Sequence, residues 1–383
     1  MNSNFSKTYR IAIVSSIVDE VGQILVQDVT NILHPLCKHM CLITIDERKR
    51  VSGSGSDSIS FLRRLKRMFF AQINISIRLM RNAQDFDIVL VHAGGYWLIL
   101  PILLSKMLHK KVIISHLGGD KLFEEQINAG ITWYQSIVTF LVLGLIKFTY
   151  SIADIIACES DRTTKLRILT NFRKKIFIVG GRYVDTETFK INTSLQMRGN
   201  TVGYIGAFKP VKGIGNLIEA LPHIIDRVPS ATFLLAGEGY LRKILETDIK
   251  TLPAKVSGNV KIEGWVDHNS LPTCLNRLKV LVLPSYSEGI PGIIQEAMAC
   301  GTLAVATPVG GIPDIIHDGE TGFIIEQDNP ECIAQNVVKA LNYQDAADMS
   351  KRARSLIETE YSQPLVTQRY ARMLASLTTK PLS

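Results

Sequence analysis

Residues 280–306 read VLVLPSYSEGIPGIIQEAMACGTLAVA, and their alternation of apolar and polar residues decides the fold class. Val280–Pro284 is a short apolar run that ends at Pro and Ser. Gly292–Ala299 follows a proline and has helix-forming residues. Leu303–Ala306 is apolar again. A buried strand, a helix and a second buried strand in so short a stretch predict a parallel βαβ unit. The same alternation runs outward on both sides. Strands are predicted over Thr201–Ile205, Thr232–Ala236, Val260–Glu263 and Gly322–Ile325. Helices are predicted over Gly213–Val228, Leu241–Leu252, Ser270–Arg277 and Glu331–Leu341.

The first half of the chain repeats the pattern. Strands are expected at Tyr9–Ser15, Met40–Ile45, Asp87–His92, Lys111–Ser115, Asp154–Cys158 and Lys175–Val179, with a helix over Asp19–Leu33. Residues 190–200 (KINTSLQMRGN) are polar and aperiodic, as a linker would be. The expectation is an α/β protein with two parallel-sheet domains facing a cleft, one over 1–190 and one over 191–362. An amphipathic helix over Gln363–Leu377 begins near Pro364, which suits a first helical turn. Ligands of such sheets bind beyond the strand C-termini.

The chain has 383 residues, 46% of them hydrophobic and 20% charged. That excludes wholesale disorder and a single small module. Six cysteines are too few for a disulfide framework, and no Cys/His spacing completes a zinc site. They read as reduced thiols of a cytosolic protein. The opening MNSNFSKTYR has no basic stretch followed by an apolar one, so no signal peptide is expected.

Charge is uneven. Residues 1–200 hold 26 Lys+Arg and 16 Asp+Glu, a net of +10, whereas residues 201–383 hold 17 and 19, a net of −2. A basic half suits an anionic membrane, an anionic substrate or a phosphate backbone. No helix-turn-helix, zinc finger or aromatic RNA motif accompanies it, so nucleic acid is not expected as a partner. Phe61–Arg81 mixes large apolar residues with Arg63, Arg64, Lys66 and Arg67. It reads as a basic amphipathic helix for an anionic bilayer, or as an ordinary packed helix with a solvated basic face. Ile131–Ile146 has 16 uncharged residues, short of the roughly 20 that span a bilayer. A buried helix is expected there, with interfacial burial as the alternative.

Three loops carry the candidate chemistry. In Ser285–Gly301, Glu288 precedes the helix and Glu296 lies inside it. Gly289 and Gly292 permit close backbone approach to a ligand. The N–H groups of Gly292, Ile293 and Ile294 would face outward and could bind a phosphate. The same pattern also fits a capped helix with two solvated glutamates. In Gly206–Gly213 (GAFKPVKG), Lys209 and Lys212 follow a strand, where lysine can stabilise a departing diphosphate or can simply be solvated. Gly237 belongs to a third strand-end loop, GEG. In the first domain, His116 ends a strand within SHLGGD, at the edge of the expected cleft.

Taken together, GYIGAFKPVKG, LLAGEG, VKIEGWVDHNSLP and LVLPSYSEGIPGIIQEAMACG with the VGGIPDII and DGETGFII tail resemble the C-terminal half of family 4 glycosyltransferases. The resemblance covers about 201–341 strongly and 9–190 more weakly. It implies the GT-B fold of two Rossmann-like domains, with the terminal helix crossing back to the first domain. It also implies a retaining, nucleotide-sugar-dependent enzyme. By that resemblance Glu288 contacts the donor sugar, Glu296 the ribose and Lys212 the diphosphate. Val266 offers its backbone to the base, Gly22 lies near the donor phosphate and acceptor, and His116 lies near the transferred sugar. No metal is expected, because the helix N-terminus with Lys212 supplies the positive charge instead. Three positions depart from the family pattern: Ala207 stands where an Arg is usual, Gly181–Tyr183 replaces an Asn-Gly, and Gly22 is a single glycine rather than one of a pair.

A retaining glycosyltransferase acting on a glycan or lipid-linked acceptor at the cytoplasmic membrane face leads these readings. A glycosidase would need its carboxylates about 5 Å apart, and eight helical steps separate them by roughly 12 Å. A non-catalytic subunit that binds nucleotide or glycan remains the alternative, with Ala207 in its favour. A nucleotide-sugar epimerase shares the fold but not the motifs.

Overall fold

The computed structural model describes residues 7–15, 20–44, 57–92, 98–118, 133–166 and 168–379. Two compact units account for them. The first contains the described residues up to Leu117, those from Trp133 to Arg182, and Val366 onward. The second contains Gly118 and Tyr183–Leu365.

Among the described residues, the first unit has six strands: β1 (Tyr9–Ser15), β2 (Cys37–Thr44), β3 (Ile88–His92), β4 (Lys111–His116), β5 (Ile155–Cys158) and β6 (Ile176–Ile178). Their order is β2-β1-β3-β4-β5-β6, and all neighbours are parallel. β3 and β5 are buried at every position, as continuous Val/Ile runs covered on both faces should be. The helices between the strands are α1 (Glu20–Leu33), α2 (Asp57–Arg81), α3 (Ile99–Met107) and α4 (Trp133–Ile152). The chain moves one way from β1 to β2 and the other way from β2 through β5. Right-handed crossovers therefore place α1 on one face of the sheet and α2, α3 and α4 on the other. The backbone N–H of Leu100 donates to Gln72 Oε1 at 3.0 Å, which ties α3 to α2.

Expectation and structure differ most in α4. It is not buried throughout. Ile146, Thr149 and Tyr150 face the core, while Phe140 and Leu141 are exposed. Asp19 and Ile45, at the ends of two predicted elements, lie outside the described residues, as do residues 119–132.

The end of this sheet holds a buried histidine. His92 closes β3 with its Nδ1 2.9 Å from Ser115 Oγ. Burial pushes its pKa down to about 4, partly opposed by a backbone hydrogen bond at Leu25. The unfolded value is about 6.5, so the folded state binds fewer protons between pH 6.5 and 4. Stability is therefore full above pH 6.5 and falls as pH drops toward 4, by about 3 kcal/mol for this group. Urea midpoints measured from pH 7 to 4.5 should fall more steeply for wild type than for His92→Gln. Equal slopes would show that His92 does not govern this window.

The second unit has β7 (Thr201–Ile205), β8 (Thr232–Ala236), β9 (Val260–Glu263), β10 (Val280–Leu283), β11 (Leu303–Ala306) and β12 (Gly322–Ile324). The order is β12-β11-β10-β7-β8-β9, again parallel throughout. The chain builds outward from β7 to β9, then restarts on the other side at β10. Between β7 and β10 lies the switch point, where loops after neighbouring strands diverge and leave a crevice. After α5 (Asp161–Thr164), which belongs to the first unit, the helices of the second are α6 (Ile214–Arg227), α7 (Arg242–Thr251), α8 (Ala254–Ser257), α9 (Leu271–Arg277), α10 (Gly292–Ala299), α11 (Pro330–Leu341) and α12 (Ala346–Glu360). The last helix, α13 (Gln363–Thr379), returns to the first unit, where Thr367 Oγ1 donates to the carbonyl of Ile32 at the end of α1.

A buried arginine braces the second unit. Arg198 is 6% exposed and donates to the carbonyls of Thr193, Leu278 and Cys300 and to Thr302 Oγ1, at 2.7 to 3.0 Å. Cys300 and Leu278 end α10 and α9, where carbonyls lack helical partners and cations are favoured. Burial lowers the Arg198 pKa to about 10, which leaves the guanidinium charged at neutral pH.

Candidate functional site

Four candidate residues of the second unit, Gly206, Lys212, Gly237 and Glu288, collect around its switch point. The loop after β7 and the loop after β10 are held together by backbone. Tyr286 N–H donates to the Val211 carbonyl at 2.9 Å. Gly213 has φ +65°, and a Cβ there would stand 1.7 Å from the Pro284 carbonyl oxygen, so no side chain fits. The third loop is equally close. Gly206 N–H donates to the Ala236 carbonyl at 3.0 Å, and a Cβ on Gly237 would lie 1.9 Å from Gly206 O. These approaches bring Gly206, Lys212, Gly237 and Glu288 into one loop cluster.

At its centre, Lys212 Nζ lies 2.7 Å from Glu288 Oε1. The same oxygen accepts from Ser285 Oγ at 2.7 Å. Glu288 is 9% exposed at the side chain and Lys212 28%, so this is a semi-buried pair with a third polar partner. Tyr204 is fully buried beneath it. Burial raises the pKa of its phenol and the Glu288 charge adds to the rise, so the phenol remains a neutral donor. It donates to the Ala207 carbonyl at 2.9 Å and fixes the turn that follows β7. Lys209 is exposed in that turn.

Pro291 is the extended N-cap of α10, so Glu288 does sit in the loop before the helix and Glu296 inside it. The N–H groups differ in part from expectation. Ile294 N–H donates to the Pro291 carbonyl at 3.0 Å, a turn bond that removes it from the set open to a ligand. Gly292 and Ile293 head the helix with no such bond among the described residues. Gly289 is locked from behind: its carbonyl accepts from Gly311 N–H at 2.8 Å, and a Cβ on Gly310 would stand 1.9 Å from Glu288 O. Glu296 is buried, with Oε1 3.3 Å from His268 Nε2. The His268 ring packs edge-on against Phe189, 5.3 Å between centroids. Val266, half-buried, packs on the core just before His268.

The remaining candidates lie in the first unit. His116 ends β4, is 3% exposed, and places Nδ1 2.7 Å from the Tyr150 hydroxyl. Gly22 is buried in the first turn of α1. Of the basic stretch, Lys66 is exposed on α2, and the side chains of Arg63, Arg64 and Arg67 lie outside the described residues.

Sequence reasoning did not find Ser285, His268 or the Gly310–Gly311 pair. The doubled glycine of VGGIPD was the available signal for the last of these. Ser285 stands only three residues before Glu288, a spacing visible in the sequence, whereas His268 reaches Glu296 across 28 residues, which no local spacing shows.

The matched profile is that of Glycosyl transferases group 1, over residues 199–343. An uncharacterised glycosyltransferase of Methanocaldococcus jannaschii is 30% identical over 37% of this chain and 38% of its own length. The N-acetyl-alpha-D-glucosaminyl L-malate synthase of Bacillus anthracis is 24% identical over 75% of this chain and 74% of its own. The chain thus matches a little over a third of the first relative and about three quarters of the second. Among solved structures, Anabaena Alr3699/HepE in complex with UDP superposes with a TM-score of 0.73 at 16% identity, covering 96% of this chain and all of that one. This chain therefore has the GT-B fold, and the family's matched region contains the whole Lys212–Glu288 cluster.

Among the described residues no helix is long and apolar enough to cross a membrane.

Proposed function

We propose that this chain is a retaining glycosyltransferase. It moves a sugar from a nucleoside diphosphate sugar to a glycan or lipid-linked acceptor in cell-surface polysaccharide or glycolipid assembly. The observation that carries the reading is the Lys212–Glu288 pair, set before the N-terminus of α10 with Glu296 one turn inside. A diphosphate is bound by Lys212 and by the Gly292 and Ile293 N–H groups. Lys212 then leaves Glu288, whose carboxylate becomes an acceptor for a donor-sugar hydroxyl. Glu296, steadied by His268, takes the ribose hydroxyls, and the backbone near Val266 faces the base. Lys209, two residues after Ala207, supplies a second positive charge in place of the family's arginine.

In the reaction, the bond from the acceptor oxygen to the anomeric carbon forms on the face from which the phosphate departs. The anomeric carbon–phosphate oxygen bond breaks, and the acceptor's proton passes to that phosphate oxygen. No protein nucleophile is required. Lys212 and the helix N-terminus balance the charge that grows on the diphosphate, so the proposal uses no metal. The family resemblance assigns His116 to the transferred sugar and Gly22 to the donor phosphate. The chain works as a peripheral protein on the cytoplasmic face of an anionic membrane, reached through Arg63, Arg64, Lys66 and Arg67 of α2.

Thermal unfolding in EDTA with UDP, GDP or ADP tests the donor site. A nucleotide at about 100 times its dissociation constant adds roughly 2.7 kcal/mol, so one of the three should raise the midpoint by several degrees. No shift with any of them would favour the second reading, a non-catalytic subunit. Ala207 supports that reading because it removes the bidentate contact that an arginine would give and a lysine cannot.

A further inference from the structure

The outer layer of α2, α3 and α4 carries an apolar face that the catalytic reading does not use. On α4, Phe140, Leu141, Leu145 and Phe148 follow one another at helical spacing and are 44 to 76% exposed. A Cβ on Gly144, within that stripe, would meet nothing within 4 Å. α2 presents Phe69 and Phe70, 55 and 65% exposed, and α3 presents Met107 at 74%. The opposite stripes of α2 and α4, with Ala71, Ile75, Leu79, Ile146 and Tyr150, are buried against the sheet. The exposed side chains are thus a second apolar surface and not an edge of the core. Exposed apolar residues gathered on neighbouring helices of one layer mark an interaction surface, where ones scattered singly would not.

The charge around this patch selects its occupant. Over their full lengths the three helices hold one acidic residue, Asp57, against eight basic ones. Lys66 and Arg81 on α2 and Lys147 on α4 are exposed beside the apolar stripes. Apolar ridges interleaved with lysine and arginine, and almost free of carboxylates, match the headgroup and acyl boundary of an anionic leaflet. A protein partner of ordinary composition would offer no such one-sided demand for positive charge.

We infer that the α2–α3–α4 layer lies flat on an anionic phospholipid leaflet, with α4 as the element that enters the acyl boundary through Phe140, Leu141, Leu145 and Phe148. This deepens the membrane part of the proposed function and rests on it, but on none of the catalytic part. It differs from adsorption by the basic end of α2 alone in one measurable respect. Purely electrostatic adsorption is lost once the Debye length shrinks to a few ångströms, whereas inserted aromatic rings hold.

The test is flotation of the full chain with vesicles of phosphatidylglycerol and phosphatidylcholine, at low salt and at about 0.5 M salt, where screening is strong. Wild type is expected to float with the mixed vesicles at both salts, more strongly than with pure phosphatidylcholine at low salt, where the anionic charge adds to insertion. Phe140→Glu/Phe148→Glu should lose at least about tenfold in partitioning at the higher salt. Ile244→Glu, an equally exposed apolar site in the second unit, should behave as wild type. Because the substituted side chains are exposed, unchanged circular dichroism is expected, and Phe140→Ser/Leu145→Ser serves as a second variant if the first fails to fold. A wild type that never floats overturns the membrane reading as a whole. Wild type and the α4 variants floating alike, with Lys66→Glu/Arg67→Glu abolishing it, overturns the role of α4 and leaves the basic stretch of α2. A wild-type dimer in sedimentation that the α4 variants split also overturns the inference, in favour of a face between copies. Nucleotide-dependent unfolding reads the donor site separately from all of these.

Discussion

Glu288→Gln is expected to lower turnover about 10²- to 10³-fold, the size of effect seen when one preorganised polar group is removed from a reacting centre. The amide preserves shape and can still accept from Ser285 Oγ, which now bonds Glu288 Oε1 at 2.7 Å. It cannot supply the charge that a donor-sugar hydroxyl would meet in the occupied site. Nor can it hold Lys212, whose Nζ lies 2.7 Å from the carboxylate. Lys212 is then available to a diphosphate without first leaving a partner. The variant should therefore bind the nucleotide at least as well as wild type while turning over far more slowly. Thermal shift and initial rate, measured on the same preparation, separate the two effects. Unchanged turnover would remove Glu288 from the chemistry.

Arg198→Met is expected to destabilise the second unit by about 3–5 kcal/mol, as the loss of a buried, hydrogen-bonded charge does. That corresponds to roughly 10 °C in the unfolding midpoint for a unit of this size. The guanidinium touches no carboxylate in this pocket; it is solvated by the carbonyls of Thr193, Leu278 and Cys300 and by Thr302. Methionine fills much of the volume and leaves those carbonyls buried and unpaired. Arg198→Lys should recover part of the loss, because an ammonium keeps the charge at the two helix ends but cannot reach every acceptor. Calorimetry of the three proteins checks the order. A methionine variant as stable as wild type would mean that the pocket collapses or hydrates without cost.

The strands were legible because they are continuous Val/Ile runs in a sheet covered on both faces, as β3 and β10 show. β2 was harder. It starts at Cys37, three residues before the expected Met40, because Lys38 and His39 lie exposed on an edge strand and break the apolar run. The helix Ala346–Glu360 was missed: its charged residues mask a thin stripe of Met349, Ala353 and Ile357, spaced four apart. The loop positions of Glu288 and Lys212 and the helical position of Glu296 were legible in the sequence. Their partners were not, since Lys212 and Glu288 are 76 residues apart and His268 and Glu296 are 28 apart. Only the assembled sheet brings them within reach of each other.

The Lys212–Glu288 pair also bears on how the site could be blocked. An empty cradle of this kind is electrically satisfied, so a small anion gains little by entering it: it must take the lysine from a carboxylate already in place. In the proposed reading, a diphosphate would offer more acceptors than that carboxylate and win the exchange, but it would strand Glu288 among buried neighbours. An inhibitor that places an ammonium group one sugar-width from its diphosphate would collect the stranded charge as well. Such a zwitterion should outcompete the bare nucleotide here, and should lose that advantage when residue 288 is an amide.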